Sequence, residues 1–155
     1  MNILVTGGSG YKGSVLIPEL LKDGHNIISI DNYSSGFKSN HITNSRVKYI
    51  QADTKKISSS LKKIKKKINC VFHFGEFSRI YQSFKKFDKC FESNSVGSKA
   101  VFKFCLDNKI KLIYSATSAS LGNFGHDKNL SPYAFTKAKN LELLENLKIW
   151  FNFKY

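Results

Sequence analysis

Arginine is nearly missing from this 155-residue chain: Arg46 and Arg79 are the only two, although lysine carries the net charge to +14. Nucleic-acid readers commonly join basic charge to arginine forks and stacking aromatics. The lysines cluster instead in Lys55-Lys56, in Lys62-Lys63-Ile64-Lys65-Lys66-Lys67 and in Lys85-Lys86. Between 55 and 68 they alternate with Ile57, Leu61, Ile64 and Ile68, which predicts an amphipathic surface helix and no nucleic-acid partner. Such a positive potential still favours capture of small anions. Long apolar runs are also absent. Nothing approaches the ~20 residues that span a bilayer, so no membrane partner is expected. The turn at Gly7 interrupts the N-terminal apolar run, which argues against a secretory signal. Cysteine is sparse and odd in number. Cys70, Cys90 and Cys105 have no metal-ligand spacing, so no metal site is expected and buried thiols in a reducing cytoplasm are. Proline occurs twice, at Pro18 inside a helical pattern it can kink and at Pro132 where a helix can begin.

What is present follows an alternating strand–helix order, the pattern of a parallel sheet covered on both faces. Asn2 to Thr6 is a short apolar run that reads as a doubly buried strand. Gly7-Gly8-Ser9-Gly10-Tyr11-Lys12-Gly13 follows, and then Val15 to Leu21 with helical spacing. Glycines there let the chain turn tightly and bring peptide N–H groups against a pyrophosphate at the helix N-terminus. Ile27 to Asp31 reads as a second strand. A carboxylate at its end accepts from adenosine ribose hydroxyls and repels a 2′-phosphate, favouring NAD over NADP. Three further strands are expected at 47–51, 69–74 and 110–115, with a helix over 93–106.

Tyr133 and Lys137 lie four residues apart in Ser131-Pro132-Tyr133-Ala134-Phe135-Thr136-Lys137. Positions i and i+4 share a helix face, and an ammonium held there favours phenolate over phenol. Ser131 is the expected N-cap, with Pro132 in the first turn. Joined to the glycine fingerprint, this pair points to hydride chemistry.

These residues carry a family resemblance. In family order along nearly the whole chain stand Thr6 to Gly13, Asp31-Asn32-Tyr33-Ser34-Ser35-Gly36, Asp53, His73-Phe74-Gly75, Asn94-Ser95-Val96-Gly97-Ser98, Tyr114-Ser115-Ala116-Thr117, and Tyr133 to Lys137. The chain resembles the extended short-chain dehydrogenase/reductase family, in its NAD-dependent sugar epimerase/dehydratase branch. Asp31-Asn32 before a turn of serine and glycine is similar to the nucleotide-sugar 4-epimerases in particular. The resemblance implies an α/β, Rossmann-type doubly wound parallel sheet of about five strands that lacks the family's C-terminal substrate domain. Residues 1–155 would be the NAD-binding domain, ending near the expected sixth strand.

The same resemblance implies a set of roles. Gly7, Gly10, Tyr11, Lys12 and Gly13 would hold the pyrophosphate, Asp31, Asn32 and Ser35 the adenosine ribose region, and Asp53 the adenine amino group. A helix N-terminal acid is the other reading of Asp53. Phe74, Gly75 and Asn94 would line the cofactor channel, with His73 in the core behind it. Tyr133 would be the base, Lys137 would lower its pKa and bond the nicotinamide ribose, and Thr117 would hold the substrate oxygen. Thr117 is counted back from Gly122, and Ser115 and Ser118 are neighbouring alternatives. The implied activity is epimerisation or dehydration of a nucleotide-sugar, a UDP-sugar, by transient hydride transfer to NAD. Ser118-Ala119 after Thr117, where dehydratases carry an acid pair, leans toward epimerase. Glu76 departs from the small residue usual after Gly75. A homodimer through a four-helix bundle is implied, for which Phe84, Phe87, Phe91 and Leu144 suit an exposed face, or else the core. A catalytically silent NAD-binding module is the alternative in which Thr117, Tyr133 and Lys137 have no chemical role.

Overall fold

Continuous apolar runs build the centre of this molecule because its strands are covered on both faces. The structure, a computed structural model, describes residues 1–64, 66–118 and 123–155. Five strands form one sheet: β1 (Asn2–Thr6), β2 (Asn26–Asp31), β3 (Val47–Gln51), β4 (Cys70–His73) and β5 (Lys111–Tyr114). Their order is β3-β2-β1-β4-β5 and every pairing is parallel. All five strands sit where the sequence places them, shifted by a residue at most at their ends. β1 is central, with Ile3 level with Ile27 on one side and Cys70 on the other.

Alternation along β1 divides the core. Leu4 joins Ile30, Val71, Leu112, Phe102 and Leu144 on one face. Ile3 and Val5 join Ile17, Leu20, Leu21 and Ile27 on the other. Strand order reverses between β1 and β4, the switch point beyond which open α/β sheets bind ligands.

Helices supply both covers. α1 (Tyr11–Lys22) continues through Pro18. The lysine-rich segment differs from its expected form: α2 is a single turn (Ile57–Ser60). Ile57, Leu61 and Ile68 are buried as their spacing implies, yet the helix stops early. Three consecutive serines favour local bonds to the backbone, as in Ser59 Oγ to the Lys56 carbonyl at 2.9 Å, and the following lysines repel one another along a helix.

The helical region after β4 is broken rather than continuous. It comprises α3 (Ile80–Lys85), α4 (Phe87–Phe91), a π-helical turn (Glu92–Gly97) and α5 (Ser98–Asp107). Lys86, at φ −118° and ψ 46°, separates the first two. α6 (Pro132–Phe151) begins as expected, with Ser131 Oγ accepting from the Ala134 N–H at 3.0 Å, and ends at Asn152 in the left-handed region. Leu144 on α6 is fully buried, so it belongs to the core and not to an exposed face. Phe84 and Phe87 remain about half exposed. Beyond α6, Phe153 is buried and the Lys154 carbonyl accepts from the Leu112 N–H at 3.0 Å, so the last residues lie against β5. Among the described residues, no helix is long and apolar enough to cross a membrane.

Candidate functional site

A cavity of about 620 Å³ opens at the carboxyl edge of the sheet, over the switch point. Gly7, Gly10, Tyr11, Lys12, Asp31, Asn32, Ser35, Phe74, Gly75, Tyr133 and Lys137 line it, so eleven of the residues selected from sequence meet there.

The glycine turn forms its floor. Gly7 has φ +70°, and a Cβ on it would lie 2.7 Å from the Gly75 nitrogen and the Phe74 carbonyl carbon. Any side chain would therefore separate the ends of β1 and β4. Gly13, inside the first turn of α1, does not line the cavity. A Cβ there would lie 2.6 Å from the Gly7 carbonyl oxygen, so its bareness sets how closely α1 approaches the turn. The N-terminus of α1 has neither a side-chain cap nor an acidic residue in its first turn. Its positive dipole end is thus left for an anion.

Asp31 closes β2 almost buried. Its Oδ2 accepts from the Ser9 N–H at 2.9 Å and its Oδ1 from the Tyr33 N–H at 2.7 Å. Those two bonds fix the carboxylate at the cavity wall. Asp53 lies outside the lining. It caps the 3-10 turn Thr54–Lys56 by accepting from the Lys55 N–H at 2.9 Å, and accepts from Asn32 Nδ2 at 3.0 Å. Asn94 also stands behind the wall, fully buried. Its Oδ1 accepts from the Phe77 N–H at 2.7 Å and its Nδ2 donates to the Phe77 carbonyl at 3.0 Å, clamping the loop that follows β4. Thr117 is half-buried on the loop after β5 and is not part of the lining. Gly122, from which it was counted, lies outside the described residues. Ser115 is the hydroxyl of that loop that does line the cavity; its Oγ accepts from Lys12 Nζ at 2.9 Å.

Lys137 is the best-held group in the site. Its side chain is 3% exposed, its Nζ donates to the Ser115 carbonyl at 2.5 Å, and it forms an ion pair with Glu76, itself 5% exposed. The ammonium also lies 4.1 Å from the Tyr114 ring centre, within cation–π range. Burial lowers the Lys137 pKa below its ordinary 10.5, and Glu76 opposes that fall. Glu76 is saturated with donors. Ser98 Oγ reaches its Oε1 at 2.6 Å, Tyr114 OH and Asn140 Nδ2 at 3.0 Å each. Tyr114, buried beside this carboxylate, has its pKa raised, first by burial and then by Glu76.

His73 lies beneath this network and is core, as its strand position implies. Burial pushes its pKa down to about 4, so it is neutral at pH 7. Sequence reasoning noted Glu76 as a departure, quoted Ser98 and Tyr114 within the family segments without giving them a role, and missed Asn140. Asn140 follows Lys137 by three residues, one turn along the same face of α6, and that spacing was the available signal.

A model of the NAD dependent epimerase/dehydratase family matches residues 3–155. UDP-glucose 4-epimerase of Lactobacillus helveticus is 29% identical, over 97% of this chain and 47% of its own length. Among solved structures, the Thermotoga maritima UDP-glucose 4-epimerase with UDP-glucose superposes with a TM-score of 0.88 at 24% identity, over 100% of this chain and 53% of that one. The Stenotrophomonas maltophila UDP-glucose 4-epimerase, solved with NAD and formylated UDP-arabinopyranose, gives 0.83 at 28%, over 96% and 49%. The chain therefore spans about half the length of the curated relatives it matches. With that match over residues 3–155, the chain belongs to the NAD-dependent epimerase/dehydratase family.

Proposed function

We propose that residues 1–155 form the NAD-holding half of a nucleotide-sugar epimerase that acts on a UDP-sugar. The observation that carries this reading is that Tyr133 and Lys137, one turn apart on α6, line the same cavity as the glycine turn and Asp31. The residues present fit a dinucleotide. The bare approach at Gly7, the uncapped N-terminus of α1 and the fixed Asp31 carboxylate suit a pyrophosphate and a ribose with free hydroxyls. Bound there, NAD would supply reversible hydride acceptance.

The chain's own groups supply the proton chemistry. Tyr133 takes the proton of a sugar hydroxyl, with Lys137 one turn along the same helix. Lys137 would bond the nicotinamide ribose, and Thr117, on the loop after β5, would hold the substrate oxygen, with Ser115, which lines the cavity, as the neighbouring alternative. Lys12 and Arg79 add cationic lining that favours an anionic ligand. The same proposal includes a homodimer through the faces that bear Phe84 and Phe87, and a cytoplasmic setting in keeping with three unpaired cysteines.

Calorimetry with NAD followed by turnover of UDP-sugars tests the reading. Binding with turnover that Tyr133→Phe lowers by ~10²–10⁴, while NAD affinity stays within about threefold, is the expected result. Binding without any turnover would favour the silent NAD-binding module. No binding would dismiss the cofactor assignment itself.

A further inference from the structure

Glu76 and Lys137 are 61 residues apart in sequence and form a nearly solvent-free ion pair on the wall of the cavity. The pair is built, not incidental. Four donors converge on one carboxylate from three elements: Ser98 on α5, Tyr114 on β5, and Asn140 and Lys137 on α6. Behind Ser98 the donors run in one direction. The Gly75 N–H donates to Thr6 Oγ1 at 3.1 Å. Because the Ser98 hydroxyl donates to Glu76, its oxygen accepts from His73 Nε2 at 3.0 Å. His73 Nδ1 then accepts from the Thr6 hydroxyl at 2.6 Å. Every hydrogen in this chain points toward Glu76, as a fixed carboxylate requires.

We propose that Glu76 is a positioning residue that keeps Lys137 protonated and fixed in the cavity. A lysine this deeply buried is disfavoured in its charged form unless a counter-ion is held beside it. The groups facing it decide the balance. Lys12 from α1 lies near enough to oppose its charge, and Arg79 lines the same cavity. His73 is neutral, Tyr114 has its pKa raised and so stays a phenol, and Tyr133 lies one turn away. Glu76 is the carboxylate that offsets them. The positioning role rests on the reading of the cavity as the NAD site; the charge assignment does not.

The test compares Glu76→Gln with the double variant Glu76→Gln/Lys137→Met, by urea unfolding between pH 7 and pH 10. With its counter-ion gone, Lys137 has its folded-state pKa driven further below 10.5, so the unfolded chain binds the extra proton. Glu76→Gln is therefore least stable relative to the double variant at pH 7. Its folding equilibrium constant gains up to about tenfold per pH unit as Lys137 loses its proton. Parallel stabilities across that range overturn the proposal. Should Glu76→Gln be unfolded at pH 7, refolding at pH 9.5 is expected while the double variant is folded throughout. Both variants unfolded at both pH values would make Glu76 a scaffold residue and likewise overturn it. Glu76→Asp restores the wild-type profile.

NAD calorimetry supplies the second readout. Affinity of Glu76→Gln is expected to fall about tenfold between pH 6.5 and pH 9, with the wild type changing less than about twofold. Wild-type protein that binds no NAD at any pH would end the cofactor reading, and the unfolding comparison would still decide on Glu76.

Discussion

Acid should loosen this protein through one buried imidazole. His73 has no exposed surface, packs edge-to-face with Phe102 and tilted against Tyr114, and is bonded at both nitrogens. Burial is the main cause of its depressed pKa, with Glu76 opposing and Lys137 adding to it. The group therefore takes up its proton in the unfolded chain near 6.5 and in the folded chain only near 4. Stability from this source is complete above pH 6.5, is lost as pH falls toward 4, and changes no further below that. At ~1.36 kcal/mol per pH unit, the whole loss is about 3 kcal/mol, of which about 2.5 kcal/mol is gone by pH 4.5. Typical domains have only about 5–15 kcal/mol in total, so the effect is large. The assay is urea unfolding of wild type and His73→Gln from pH 7.5 to pH 4.5. Glutamine keeps a donor toward Ser98 and cannot titrate. The advantage of the wild type is expected to shrink by about 2.5 kcal/mol across that range. A constant gap, or an imidazolium signal from His73 at pH 6 by NMR, would refute the reasoning.

Three substitutions probe other parts of the structure. Gly13→Ala forces a Cβ against the Gly7 carbonyl, and about 1–3 kcal/mol of destabilisation is expected by thermal melting, together with weaker NAD binding by calorimetry. Unchanged affinity would mean that α1 does not set the pyrophosphate site. Asp31→Asn removes the charge while keeping an acceptor for one of the two backbone amides, and should narrow the preference for NAD over NADP by about tenfold in paired titrations. A preference that does not move would place the ribose elsewhere. Leu144→Ala opens a cavity in the larger core cluster and should cost about 2–5 kcal/mol in urea unfolding, whereas a residue on a free helix face would cost far less.

Legibility in the sequence followed the range of the interactions. β1 was readable because Ile3, Leu4 and Val5 are buried on alternate faces, leaving an apolar run that no surface element would carry. The glycine turn was readable because the positive φ at Gly7 is a demand of the local backbone, although the clash its bareness avoids is with the distant Phe74 and Gly75. Ser131 and Pro132 announced α6 for the same reason. The exceptions involve distant partners or a changed helical period. Apolar spacing from Ile57 to Ile68 marked buried positions correctly, yet burial alone does not continue a helix through serines and like charges. Asn94 sits in a π-helical turn, whose wider winding turns its side chain to the Phe77 loop. Leu144 had two readings open, and its complete burial in the cluster that holds Leu4, Val71 and Leu112 decides for the core.

Glu76 and Lys12 belong to one electrostatic problem. Two ammonium groups converge on Ser115, Lys12 Nζ at its hydroxyl and Lys137 Nζ at its carbonyl. Lys12 disfavours the charge on Lys137 at such range. A small residue at position 76, as the resemblance leads one to expect, would leave Lys137 without its carboxylate. Glu76 closes the balance, and Ser98, Tyr114 and Asn140 saturate its remaining acceptor positions so that it has no competing partner to turn toward. The departure after Gly75 is thus tied to the buried lysine of α6. Replacing Glu76 or Lys12 alone changes the charge next to Tyr133, whereas replacing Glu76 and Lys12 together, by Gln and Met, preserves the net charge around Lys137.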